Sequence, residues 1–188
     1  MLNSPWWCIL FTHHCHKCHY QMSTSTKKCI TLPSTTLYED QILYYVSECE
    51  ISCFFRGVFM RDELVSIKPA KHVECGILNF DTHDQSGTHW VSWTKLGNDR
   101  FYFDSYGERP PVEILKYLKS REEYDQDEPV IKCNAVTVQH DRSTECGALS
   151  LYVIFYLLNG QSFESVIQKL EKRYSKKSIP SPPLKICL

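Results

Sequence analysis

The sequence predicts an α+β domain in which one mostly antiparallel sheet packs against a central buried helix. Three observations predict it. Residues 148–158 are nearly all apolar or aromatic, with only Ser150 interrupting, and a helix that is apolar all round is buried rather than laid on a surface. Strand-like runs at residues 89–95 and 100–104 flank Gly97-Asn98, which suits a two-residue hairpin turn. The element order is helix, three strands, helix, strand, helix, helix, without an internal repeat, and that order belongs to an α+β class.

Length and composition set the bounds. A chain of 188 residues is one domain by the usual prior and long enough for a real core. A net charge of -1 offers no electrostatic reason to expect nucleic acid or a membrane surface. No apolar run reaches the length of a membrane span. Residues 6–11 are apolar but lack a preceding basic region and a small-residue cleavage site, so they do not read as a signal peptide. The ten cysteines are irregularly spaced, which favours a reduced, intracellular protein, in nucleus or cytoplasm, over a disulfide framework.

In chain order, residues 1–35 read as an N-terminal extension. They carry Trp6, Trp7 and the cluster His13-His14-Cys15-His16-Lys17-Cys18-His19. Cys15 and Cys18 have the spacing of half a zinc site, but no second pair follows at finger distance, so no metal is assigned. The main domain spans residues 36–174. Apolar positions 38, 42, 45 and 46 have helical spacing, with Thr35 or Thr36 as cap and Glu39 and Asp40 in the first turn. Residues 54–59 place Gly57 among aromatics and suggest a turn or a tight contact. Arg61-Asp62-Glu63 reads as a solvated loop.

Residues 73–80 form a strand with a nearly continuous apolar end, followed by a polar loop over 81–87. The strand at 89–95 puts His89, Val91 and Trp93 on one face. After the hairpin and the strand at 100–104, Pro110-Pro111 leads into a helix from Val112 to about Leu118. Residues 121–129 are acidic and loop-like, and 130–138 hold another strand. The central helix is stopped by Asn159-Gly160, with Ser143 and Thr144 as cap candidates. Ser162 caps a last helix that runs to about Arg173. Residues 175–188 form a tail with three prolines and several lysines.

The chemistry-bearing residues sit at element ends. Cys146 falls in the first turn of the central helix, where free N–H groups and the helix dipole lower a thiol pKa and favour the nucleophilic thiolate. Glu145 opposes this, since a neighbouring negative charge raises it. A thiolate that cleaves an amide also needs a base, a group to orient the base and an oxyanion donor. If Gly97-Asn98 is the turn, facing residues sum to 195. Val91 then faces Asp104, His89 faces Tyr106, and His89 and Asp104 are diagonal neighbours about 7–8 Å apart at the backbone. A loop one residue longer would flip that parity. Gln139 ends the strand that feeds the helix, and its amide can donate beside the Cys146 N–H. His140 is a rival base by proximity, but nothing in the sequence orients it. Taken singly, each of these residues has an ordinary structural explanation; it is the four together that suggest a site.

Gly87-Thr88-His89-Trp90, Phe103-Asp104-Ser105-Tyr106-Gly107 and the Gln139 to Cys146-Gly147 spacing resemble the adenovirus-type cysteine proteases (adenain). That family lies within a wider group that includes the SUMO-specific, ubiquitin-like proteases. Phe55-Arg56-Gly57-Val58-Phe59 and Glu74-Cys75-Gly76-Ile77-Leu78-Asn79 look like the segments leading to the family's histidine. The resemblance covers residues 36–170 and implies a papain-like core with permuted catalytic elements. It implies Cys146 as nucleophile, His89 as base, Asp104 as its orienter and Gln139 as oxyanion donor. Trp90 would wall a substrate cleft together with Gly147. The implied function is a cysteine endopeptidase acting on a protein substrate, such as a viral polyprotein or capsid precursor, after small residues such as Gly. No cofactor is implied. The alternatives are a deconjugating isopeptidase for a ubiquitin-like modifier and an inactive protease-like binding module.

The Gln139–Cys146 loop is one residue longer than in SUMO proteases, and Glu145 stands where that branch has Asp; both favour the viral branch. Asp104 stands where adenovirus enzymes carry Glu. Those enzymes also use a peptide activator and DNA, which the near-neutral charge here does not support independently.

Overall fold

The computed structural model describes residues 28–67, 71–120, 129–175 and 182–188. The His/Cys cluster at residues 13–19 lies outside them, as does most of the acidic stretch at 121–129. A five-stranded sheet forms the middle layer. Its strands are β2 (Phe55–Phe59), β3 (Val73–Asn79), β4 (Trp90–Leu96), β5 (Asp99–Phe103) and β6 (Val130–Cys133), adjacent in that order. The three central strands pair antiparallel, and β2 and β6 join the edges in parallel. The α+β class expected from the sequence is the one observed, with the antiparallel ladders supplying most of the pairing.

Both faces of the sheet are covered. Alternate side chains of a strand point to opposite faces. Cys75, Ile77, Phe101 and Phe103 therefore join the larger core, while Leu78, Val91, Trp93 and Tyr102 join the smaller one. The larger core is built around α3 (Cys146–Leu158), in which every residue but Tyr152 and Tyr156 is buried. Around it pack α1 (Glu39–Glu48) and α4 (Phe163–Tyr174). The smaller core is closed by α2 (Val112–Lys119) and a 3-10 helix at Arg61–Ser66, which buries Leu64.

Several local expectations hold. Gly97 is the left-handed residue of the hairpin turn, at φ 63°. The β4–β5 register pairs Ser92 with Phe103 and Leu96 with Asp99, so facing residues do sum to 195. Ser162 caps α4 by accepting from the Ser165 N–H at 3.2 Å.

Others are corrected. Residues 55–59 are an edge strand rather than a turn, with Gly57 at φ 142° beside a register shift; the expected tight contact is present, since a Cβ at Gly57 would meet Phe59 Cζ at 2.9 Å. Residues 61–63 open a helical turn instead of a free loop. The cap of α1 is Tyr38, not a threonine; its N–H donates to Gln41 Oε1 at 3.0 Å.

The domain boundaries differ most. Strand β1 (Cys29–Thr31) pairs antiparallel with β7 (Lys185–Cys187), and Ile30, Leu32, Leu184 and Ile186 are all buried in the larger core. Residues 28–35 and 182–188 therefore belong to the domain expected to span only 36–174. The same pairing sets Cys29 opposite Cys187, Cα to Cα 4.1 Å, and a disulfide joins them. The expectation of a fully reduced chain fails here because residues 158 positions apart reveal their pairing only in three dimensions. Among the described residues Cys49, Cys75, Cys133 and Cys146 are free thiols.

Candidate active site

Cys146 is the first residue of α3 and is buried. The residue before it, Glu145, occupies the cap position without a side-chain cap bond. Neither Ser143 nor Thr144 is the cap. Ser143 works one step earlier, its Oγ accepting from the Glu145 N–H at 3.3 Å and donating to Glu145 Oε2 at 2.9 Å. The first intrahelical bond runs from the Leu149 N–H to the Glu145 carbonyl. The Cys146 N–H thus lies among the donors of the first turn that have no intrahelical acceptor.

The negative charge expected to oppose the thiolate is compensated. Arg173, from the last turn of α4, meets Glu145 through Nη2–Oε1 at 2.5 Å and Nη1–Oε2 at 3.4 Å, both side chains nearly buried. The same arginine donates through Nε to the Pro182 carbonyl at 2.8 Å. The loop before the cysteine is in this way tied to α4 and to the C-terminal segment.

His89 and Asp104 meet as the hairpin register requires. His89 Nε2 donates to Asp104 Oδ1 at 2.9 Å. Asp104 is fully buried, and a buried carboxylate needs partners. It also accepts from the Tyr106 N–H at 2.8 Å and from the Tyr102 hydroxyl at 3.4 Å. Its backbone is clamped by Asn134, which accepts from the Asp104 N–H at 3.0 Å and donates to its carbonyl at 2.6 Å. The turn that follows closes with Gly107 N–H to the Asp104 carbonyl at 2.9 Å. Gly107 sits at φ 75°, and a Cβ there would meet the Val136 backbone N at 2.9 Å.

After Asp104, Cys146 is the second side chain that acts on the His89 ring. Burial is the largest influence on the His89 pKa and lowers it. The hydrogen bonds to Asp104 and Cys146 and their negative charges together outweigh burial and raise it to about 9. The ring is therefore an imidazolium at neutral pH.

Gln139 is buried, and its amide orientation is determined by its partners. Ser105 Oγ donates to Oε1 at 2.7 Å, and Nε2 donates to the Ser143 carbonyl at 2.7 Å and to the Tyr106 hydroxyl at 3.2 Å. Trp90 is half-buried, its Nε1 donating to the Leu37 carbonyl at 2.8 Å. Gly147 is buried beneath it; a Cβ there would meet Leu37 Cβ at 3.1 Å and Trp90 Cδ1 at 3.2 Å. Gly147, the residue after Cys146, is thus in close packing contact with Trp90. His140 takes no part: its ring stacks on Tyr174 with centroids 4.5 Å apart, and its Nε2 is buried without a partner among the described residues.

Sequence reasoning placed Cys146, His89, Asp104 and Gln139 and overlooked their supports: Tyr102, Ser105, Tyr106, Asn134, Ser143 and Arg173. Tyr106 alone carried a legible signal, because the register that pairs His89 with Asp104 also faces His89 with Tyr106. Their rings stack at 4.9 Å between centroids. Among the described residues there is no cluster of three or more His, Cys, Asp or Glu able to hold a metal, and no helix long and apolar enough to cross a membrane.

No family model matches the chain. Over 97 residues it is 30% identical to a protein of Acanthamoeba polyphaga mimivirus described as "Putative thiol protease R355", an alignment covering 48% of this chain and 32% of that protein. The chain thus spans about a third of the length of this curated relative. Among solved structures, a crystal structure of the ASFV pS273R protease matches 76% of this chain and 67% of its own, at 18% identity and a TM-score of 0.48. Its selenomethionine form matches the same shares at a TM-score of 0.44. Across about half its length, then, this chain is similar in sequence to a viral thiol protease.

Proposed function

We propose that the chain is a thiol hydrolase that cleaves peptide bonds in protein substrates, with Cys146 as nucleophile, His89 as acid and base, Asp104 as orienter and Gln139 as oxyanion donor. The observation that carries this reading is His89, bonded to a fully buried Asp104 and acted on by the thiol at the first residue of a buried helix. A base held on one side by a carboxylate and on the other by a nucleophile is the arrangement acyl transfer needs. With the proton already held by the His89 imidazolium, Cys146 attacks the substrate carbonyl carbon as the thiolate. The oxyanion is received by the Cys146 N–H and the Gln139 amide. His89 returns the proton to the leaving amine, and a water activated by His89 then hydrolyses the thioester.

Cleavage after small residues such as Gly in a viral polyprotein is the finer form of this reading and rests on the family resemblance alone; the mimivirus relative supports only the thiol protease. The first test is alkylation with iodoacetamide across pH, comparing wild type with Cys146→Ala and His89→Ala. The expected result is one fast site, lost in the first variant and slowed in the second. Slow labelling spread over several cysteines would overturn the proposal. A peptide library and a ubiquitin-like modifier fusion then distinguish endopeptidase from isopeptidase, each assayed with and without DNA and candidate activator peptides.

A further inference from the structure

Tyr106 touches two of the side chains assigned to the chemistry, His89 and Gln139. Its ring stacks on His89, and its hydroxyl lies 3.2 Å from Gln139 Nε2. The direction of that second contact follows from the rest of the network. A backbone carbonyl can only accept, so the Gln139 atom 2.7 Å from the Ser143 carbonyl must be the amide nitrogen. The Ser105 hydroxyl against the other amide atom, at 2.7 Å, fits the same orientation. The nitrogen therefore also faces Tyr106, whose hydroxyl oxygen must accept from it. A phenol has one proton to donate, and accepting leaves that proton uncommitted. Among the described residues the Tyr106 hydroxyl makes no bond as donor, and its side chain is partly open to solvent.

We propose that Tyr106 Oη is a second side-chain donor to the oxyanion, acting beside Gln139. This rests on the thiol-hydrolase reading above. In the step concerned, a Cys146 Sγ lone pair forms the C–S bond and the carbonyl π pair moves onto oxygen. The return of that pair expels the leaving group, which takes the proton held by His89 when it is an amine. Negative charge gathers on one oxygen in between, and a pre-aimed O–H placed there stabilises that state more than the ground state. The Gln139 N–H now given to the phenol must turn to the arriving oxyanion, and because amide and phenol lie within hydrogen-bond reach of each other, both can meet it without being drawn from a distant position. Burial, with negative charge at Cys146, Asp141 and Asp104, raises the Tyr106 pKa, which keeps the donor protonated across the working range. In this role Tyr106 is a catalytic residue. Its ring, stacked on His89, also makes it a neighbour of the base, and the test has to separate the two contributions.

Two reactions of the same thiol do so. Alkylation by iodoacetamide is a displacement at saturated carbon and forms no oxyanion. Acylation by p-nitrophenyl acetate passes through one and expels p-nitrophenolate. Tyr106→Phe keeps the ring and removes only the hydroxyl. The expected result is an alkylation rate and pH profile matching wild type, with acylation slowed on the order of 10²-fold, the scale of losing one oxyanion donor. Equal acylation in wild type and Tyr106→Phe would overturn this proposal alone. Parallel loss of alkylation and acylation would also overturn it, because the hydroxyl would then be acting through His89 or the thiolate. Failure of wild-type Cys146 to acylate would overturn the thiol-hydrolase reading, and the role of Tyr106 with it.

Discussion

At His89 burial and charge pull in opposite directions, and charge wins. A buried imidazole tends to lose its proton, yet Asp104 and Cys146 together raise its pKa to about 9. The sign for stability follows. A raised folded-state value means the charged ring contributes fully below the unfolded value of about 6.5, and the contribution is lost as pH rises through about 9. Activity should follow the same group, because an imidazolium must be present to protonate the leaving amine. The expected pH profile of kcat/KM therefore falls above about pH 9, and Asp104→Asn should move that limb to lower pH. A wild-type limb near 6.5 would mean that Asp104 does not hold the ring charged.

Between elements, the decisive contact joins the end of α4 to the start of α3. Glu145 precedes the proposed nucleophile and is almost fully buried, and Arg173 is the cation that meets it. Removing one partner of a buried pair leaves an uncompensated charge, which costs about 3–5 kcal/mol. Arg173→Ala should lose stability on that scale in denaturant titrations and also slow alkylation of Cys146, since the unpaired Glu145 carboxylate would then act on the thiol alone. Adding Glu145→Gln should restore part of both losses. Additive losses would show that the two side chains are not coupled. This pairing reverses an inference drawn from neighbours in sequence. Glu145 beside Cys146 looked like an electrostatic penalty, and an arginine 28 positions later changes its meaning.

For the whole molecule, residues 28–35 and 182–188 are part of the core rather than appendages to it. Strands β1 and β7 bury Ile30 and Ile186 and carry the Cys29–Cys187 disulfide. A cross-link closing so long a loop is worth up to about 4–5 kcal/mol in the chain-entropy account. Cys187→Ser, or reduction, should lower the denaturation midpoint accordingly. Removing residues 182–188 should cost more, because Leu184 and Ile186 leave apolar surface uncovered. Alkylation of Cys146 well below the melting temperature should survive the loss of the disulfide. The Lys185 carbonyl meets α3 at Tyr156, ten residues along the helix from Cys146, about 15 Å away. An unchanged midpoint on reduction would show that the pairing of the two ends does not contribute.

The sequence by itself determined the central helix, the hairpin and, through the hairpin, the meeting of His89 with Asp104. Each of these is local. Helical burial is written in an uninterrupted apolar run, and a two-residue turn sets a register whose period of two assigns every side chain to a face. The Cys146 position followed from the helix start within a residue or two. Tertiary structure alone decided what depends on residues distant in the chain. It brought Asn134 to the Asp104 backbone, Arg173 to Glu145, the edge strand β2 to β3, and Cys29 to Cys187. None of these has a spacing rule, because each is settled by which surfaces the packed elements leave facing one another. It also decided the direction of the Gln139 amide. That orientation depends on the Ser143 carbonyl and the Ser105 hydroxyl converging on one side chain, and hydrogen-bond direction of this kind exists only once the chain is folded.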